Sequence, residues 1–196
     1  MPWEPDVLDC LSFSLIIHDI GARRTYADSP SQFRTSNGLL RRSREEAISL
    51  TTYQLMAENG YLREAAPNRS FIGYERSYHA NIVPGQNRPR SDLLVKDFGV
   101  GQSYNYVEVK SFSVWNTVRD GQLRTDTRKL HRHGGRRGKF CLLYRIITGN
   151  QANLWDLAII NRDELVEVGR REFPIGLTPG EDWTAQIALY RCLRPM

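Results

Sequence analysis

Ser91-Asp92-Leu93-Leu94-Val95-Lys96 and Tyr104-Asn105-Tyr106-Val107-Glu108-Val109-Lys110-Ser111-Phe112 are the two stretches whose reading decides how this chain folds. In an extended strand, side chains two apart share a face. Leu93 and Val95 therefore point one way, and Asp92 and Leu94 the other. The same alternation in the second stretch sends Val107 and Val109 to one side and Glu108 and Lys110 to the opposite side. Each strand offers valine or leucine to a core and ionisable groups to its other face. The link between them, Asp97-Phe98-Gly99-Val100-Gly101, carries glycines that permit a tight reversal. Antiparallel pairing through that link would bring Asp92 and Glu108 close together.

Residues 71–83, rich in β-type side chains, precede the turn cluster Pro84-Gly85-Gln86-Asn87 and predict a third strand, so that three strands in succession form a meander. Upstream, Leu8, Leu11, Leu15 and Ile16 recur at helical spacing and predict a short helix over 7–20. Residues 27–37 have loop composition. Ser43-Arg44-Glu45-Glu46 then combines a serine N-cap with Glu46 at the capping-box position. The helix it starts runs through Ala47, Leu50, Gln54, Leu55 and Met56, stops at Asn59-Gly60, and is followed by a short turn over 61–66. Downstream, the polar segment 118–133 reads as a largely exposed helix ended by Gly134-Gly135. The apolar runs 140–147 and 154–160 have strand length, and the first, nearly continuous, belongs at the centre of the sheet. Residues 185–190 fit a helix or a strand. The expected fold is one α/β domain over 1–196, with a core over about 43–160 in the order helix, three strands, helix, two strands.

The 196 residues are enough to bury a core without disulfides. Cys10, Cys141 and Cys192 are far apart and odd in number, which argues against a disulfide framework, and no CxxC pair points to zinc. No apolar run approaches the roughly 20 residues that span a bilayer, and acidic residues stand where a secretory signal would be basic. A cytoplasmic location and no membrane partner are the expectation. The net charge is +5, with pI about 9.3, and all but four of the positive side chains are arginine. Arginine's planar fork suits bidentate phosphate contacts, so a polyanion is the natural partner, although a solvated basic surface would give the same balance. Gly99-x-Gly101 lacks the third glycine and following helix of a dinucleotide loop, and no small-molecule cofactor is expected. His131 and His133 diverge on a helix, which argues against a metal pair.

Two carboxylates placed together repel unless a cation or a proton joins them. Carboxylate oxygens are the ligands magnesium prefers, with waters and substrate phosphate completing its octahedron. Lys110 beside them fits an ammonium that steadies an attacking water or the charge growing on a phosphorane. Together they read as phosphodiester hydrolysis. Alternatively, Glu108 and Lys110 are exposed cross-strand partners on a solvated face; burial separates the two readings.

Pro89-Arg90-Ser91-Asp92, fifteen intervening residues, and Glu108-Val109-Lys110 resemble the PD-(D/E)XK nuclease signature. The order of helix, meander, helix and further strand over about 43–160 is similar to that superfamily's restriction-endonuclease-like core, a central mixed β-sheet with a three-stranded antiparallel meander flanked by helices. The family's proline usually precedes the aspartate directly, whereas here Ser91 does and Pro89 sits three positions before Asp92. The resemblance implies Asp92, Glu108 and Lys110 as catalytic residues, with Asp92, Glu108 and the Val109 backbone carbonyl as metal ligands. It adds Glu75 or Glu46 as a further acidic ligand. The implied activity is that of a Mg2+-dependent DNA endonuclease of restriction or phage-defence type, with Mn2+ able to substitute and a homodimer as the family-based expectation. The competing readings are a catalytically inactive nucleic-acid-binding protein of the same fold, and a repair or RNA-directed nuclease.

Arg124, Arg128 and Arg132 recur every fourth residue, so a helix stacks them on one edge, where they could track a phosphate backbone. Arg136, in the basic loop after the helix, extends the same expected nucleic-acid contact.

Overall fold

The two deciding stretches form neighbouring strands: β2 (Arg90–Lys96) and β3 (Tyr104–Phe112) pair antiparallel, with Leu93 opposite Val107 and Lys96 opposite Tyr104. The computed structural model describes residues 3–28, 45–64, 66–77, 90–96, 104–112, 117–133, 138–148, 164–174 and 183–193. β1 (Phe71–Ser77) pairs antiparallel with the far side of β2 and completes the meander. A helix, Thr117–His133, then carries the chain across to β4 (Gly138–Thr148), which runs parallel to β3. That shared direction needs a crossover connection of this kind, because a tight turn joins only antiparallel neighbours. β5 (Leu165–Pro174) and β6 (Trp183–Cys192) add two antiparallel strands, giving one mixed sheet in the order β1-β2-β3-β4-β6-β5.

Two helices precede the sheet, α1 (Trp3–Asp28) and α2 (Glu45–Glu58), and the crossover helix is α3. The alternation within the strands sorts the buried residues into two cores. Leu93, Val95, Val107, Val109, Ile187 and Leu189 meet Val7, Leu8, Leu11 and Leu15 of α1 and Ile48 and Met56 of α2. Trp3 stands edge-on to Phe140 across this core, with ring centroids 4.7 Å apart. On the other face Leu94, Tyr106, Ala188 and Tyr190 pack with Leu123 and Leu130 of α3.

α2 ends where the sequence says it should. Gly60 takes φ 95°, the Tyr61 N–H reaches back to the Met56 carbonyl and the Gly60 N–H to that of Ala57. This is the paired bonding of a Schellman cap, with Tyr61 and Met56 both buried in the first core. The Ser43 cap expected at its start lies outside the described residues.

Three differences from the sequence reading have physical causes. α1 is longer at both ends than 7–20, and its buried stripe is Val7, Leu8, Leu11 and Leu15, while Ile16 is exposed together with Phe13 and Ile17. The ambiguous segment 185–190 is strand because it is inserted between β4 and β5 and covered on both faces, so consecutive residues from Ala185 to Tyr190 are buried. The sheet therefore extends well past residue 160. The strand expected over 154–160 lies outside the described residues, whereas the run at 140–147 is β4, inside the sheet as its near-continuous apolarity required.

Candidate active site

Asp92, Glu108 and Lys110 lie on one face of adjacent strands, the face that α3 covers. Their neighbours establish this: Leu93, Val95, Val107 and Val109 belong to the core beneath α1 and α2, whereas Leu94 and Tyr106 belong to the core with α3. Residues 92, 108 and 110 share the parity of the second set.

Pairing between β2 and β3 extends to Leu93 and Val107. Continued by one step, the register aligns Asp92 with Glu108, and by two steps Ser91 with Val109. Here the Asp92 side chain takes the donor a strand partner would otherwise use, as the Val109 N–H donates to Asp92 Oδ2 at 2.7 Å. A strand residue directs its N–H and C=O to the same edge, so the Val109 carbonyl faces the β2 side as well. One carboxylate is thus fixed in orientation by the backbone of the strand that carries the other.

Glu108 is buried, its side chain 2% exposed, so the reading of an exposed cross-strand pair does not hold for it. An ionised carboxylate at that depth needs a cation, and α3 supplies one: Lys129 Nζ lies 2.7 Å from Glu108 Oε1. In return Lys110 Nζ lies 3.3 Å from Asp126 Oδ2 of the same helix. Asp126 and Lys129 are one turn apart on α3, as Glu108 and Lys110 are two apart on β3, so the two pairs sit side by side across the strand–helix interface. Asp126 and Lys129 are partners of the site that the motif on the two strands does not include. Their signal was helical phase: Leu123, Thr127 and Leu130 mark the buried stripe of α3, and positions 126 and 129 flank it on one side.

The arginines lie on the other side. At roughly 100° per residue, positions 124 and 128 lie across the buried stripe from 126 and 129. Arg124 is half-buried and reaches Glu164 at 3.8 Å, just ahead of β5, so that flank looks toward the β6–β5 half of the sheet. Arg128 and Arg132 are exposed. The edge expected beside Asp92 and Glu108 is therefore a separate feature of the same helix. Arg136 lies outside the described residues, as do the side chains of Glu46 on α2 and Glu75 on β1. At the level of backbone register, position 75 falls between the pairs Tyr74 with Leu93 and Arg76 with Ser91, in line with Asp92.

The donors present fit a hard divalent cation. Asp92 and Glu108 bring carboxylate oxygens from adjacent strands and Val109 a carbonyl at the same edge. Among the described residues no group of three or more His, Cys, Asp or Glu forms a ligand cluster. Magnesium tolerates such a sparse set, since one or two carboxylates with waters and substrate phosphates satisfy it, whereas calcium asks for more protein oxygens. Zinc would want nitrogen or sulfur ligands.

Comparison of the chain with family models, with curated proteins and with solved structures finds no match.

Proposed function

We propose that this protein is a metal-dependent nuclease of the PD-(D/E)XK type, hydrolysing phosphodiester bonds of DNA, most consistent with a restriction or phage-defence endonuclease. The observation that carries the reading is the convergence of Asp92, Glu108 and Lys110 on one face of β2 and β3, with Asp92 tied to the Val109 N–H and Glu108 buried. The reading is supported by the order of elements, an antiparallel meander β1-β2-β3, a crossover helix α3 and a parallel strand β4, which is the order expected from the resemblance.

What a divalent ion supplies here when bound is positive charge against the scissile phosphate and a lowered pKa for an attacking water. The residues of the chain do the rest. Asp92 and Glu108 would hold the ion with the Val109 carbonyl, and the Val109 N–H keeps the Asp92 carboxylate from rotating away. Lys110, on the same face and paired with Asp126, would present its ammonium to the reacting centre, where it would steady the attacking water or the negative charge that grows on the phosphorane. Leu94 and Tyr106, on the same face and buried, wall the site with apolar surface that strengthens these charge interactions.

Purified protein is incubated with plasmid DNA and with structured RNA, in Mg2+, in Mn2+ and in chelator, beside Asp92→Ala and Lys110→Ala. The expected result is cation-dependent cleavage of DNA by the wild type and a loss of at least roughly a hundredfold in each variant. A folded wild type that binds the metal and cuts neither substrate overturns the proposal in favour of a nucleic-acid-binding protein without catalysis. Cleavage of RNA alone moves the substrate and leaves the site assignment standing.

A further inference from the structure

The nuclease reading gives Glu108 to a divalent ion, yet a charge already sits there. We propose that Lys129 is a resident cation of the site, paired with Glu108 and holding it oriented when no metal is present, and that a divalent ion must displace it to bind. The proposal rests on Glu108 being a metal ligand, and it concerns a residue that the nuclease signature does not include.

Three observations support it. Lys129 Nζ is 2.7 Å from Glu108 Oε1, the distance of a charge-assisted hydrogen bond. The exposures are unequal: 28% for the Lys129 side chain against 2% for Glu108, so the lysine stands between the carboxylate and solvent. An ion arriving from water meets the ammonium first. Lys110, the other lysine on this face, lies 3.3 Å from Asp126 Oδ2, so α3 answers the charges of β3 with one residue of each sign.

The consequence follows from electrostatics. An ammonium and a divalent cation cannot both lie within bonding distance of one carboxylate in a buried setting without strong mutual repulsion. Metal binding is then an exchange of one cation for another, and its apparent affinity is lowered by the strength of the lysine pair. A lysine suits the role because its four-carbon stem, partly exposed on α3, can withdraw the ammonium without moving the helix. The buried carboxylate is never left bare, and the Lys110–Asp126 pair ties α3 to β3 in either state. Lys129 acts here as a positioning residue.

The test is a titration with Mn2+ alone, without nucleic acid, on the full chain. Wild type, Lys129→Gln, Lys129→Arg and Asp92→Asn are compared by calorimetry and by the rise in Tm at saturating Mn2+. The expected result is an affinity about tenfold higher in Lys129→Gln than in wild type, with a larger Mn2+-induced rise in Tm. Lys129→Arg, which keeps the charge, stays at or below the wild-type affinity. In cleavage assays the half-saturating Mn2+ concentration of Lys129→Gln falls in the same proportion. Equal affinity in wild type and Lys129→Gln overturns the exchange and reduces Lys129 to a structural partner of Glu108, while leaving the metal site intact. If wild type and Asp92→Asn bind Mn2+ equally, or neither binds it, the metal-site reading itself falls and the exchange with it. If Lys129→Gln is unfolded without metal, recovery of its fold on adding Mn2+ supports the exchange, and failure to recover overturns it.

Discussion

The two faces of the β2–β3 pair are built from alternate residues of the same strands, yet they differ in kind. Beneath α1 and α2 the face is closed and apolar, from Leu93 and Val109 to Val7, Leu11, Ile48 and Met56. Beneath α3 a second apolar core, with Leu94, Tyr106, Leu123, Leu130, Ala188 and Tyr190 among its residues, shares its face with Asp92, Glu108 and Lys110 of the strands, which Asp126 and Lys129 of the helix meet. Buried ion pairs are weak contributors to stability, because desolvating both charges offsets most of their attraction, and well-packed apolar residues usually serve as well or better. Charges kept on the second face call for a reason other than stability, and binding a cation against a phosphate is the reason offered by their identity and spacing.

Adjacent residues on opposite faces give the largest test of this division. Leu93→Ala removes a fully buried side chain from the first core and is expected to cost about 2 to 5 kcal/mol in urea unfolding, with cleavage per folded molecule little changed. Asp92→Ala is expected to reverse the pattern: cleavage falls at least roughly a hundredfold, while stability drops by only about 1 to 2 kcal/mol as the Val109 N–H loses its acceptor. Loss of cleavage in Leu93→Ala under conditions where circular dichroism shows it folded would break the comparison.

The closed face should also show itself in pH. Burial, partly countered by a hydrogen bond from Asn59, pushes the Cys10 thiol up from 9.0 to about 11. The folded chain then holds that proton more tightly than the unfolded chain does. This contribution to stability is intact below about pH 9 and is lost as pH rises toward about 11, up to about 2 to 3 kcal/mol in all. Tyr190, also raised by burial, adds its own loss at high pH. Urea unfolding of wild type against Cys10→Ala between pH 8 and 11 isolates the cysteine: the difference between the two should shrink or invert across that window. A constant difference would mean that Cys10 is in contact with water and the face is not closed.

Strand alternation and one helix cap made much of this legible in advance. Tyr104–Phe112 appears as a strand with the bounds read from it, and Asn59-Gly60 ends α2 with its predicted cap, because both signals are local. The faces of Asp92, Glu108 and Lys110 followed from period two alone. What escaped was non-local. Residues 185–190 resolve only once β4 and β5 stand on either side, and Ile16 turns outward because α1 lies against the sheet through Leu8, Leu11 and Leu15. Lys129 was read as part of a polar helix, since nothing in its own segment says that a buried glutamate lies opposite.

α3 repeats the division on a smaller scale, and its two flanks set the last prediction. Asp126 and Lys129 face inward to the site, whereas Arg124 and Arg128 lie across the buried stripe, the former against Glu164. If a nucleic acid lies over α3 as well as over the site, exposed Arg128 is the residue to feel its phosphates. Arg128→Ala should then weaken DNA binding modestly and flatten the slope of log affinity against log salt by about 1. Arg124→Ala should change the slope less, because its guanidinium already has a carboxylate nearby. Fluorescence anisotropy over a salt series with a short duplex and chelator reads both. A slope untouched by Arg128→Ala would confine the nucleic acid to the Lys129 flank. An equal change from both variants would mean that Arg124 leaves Glu164 for a phosphate and that the two flanks act as one surface.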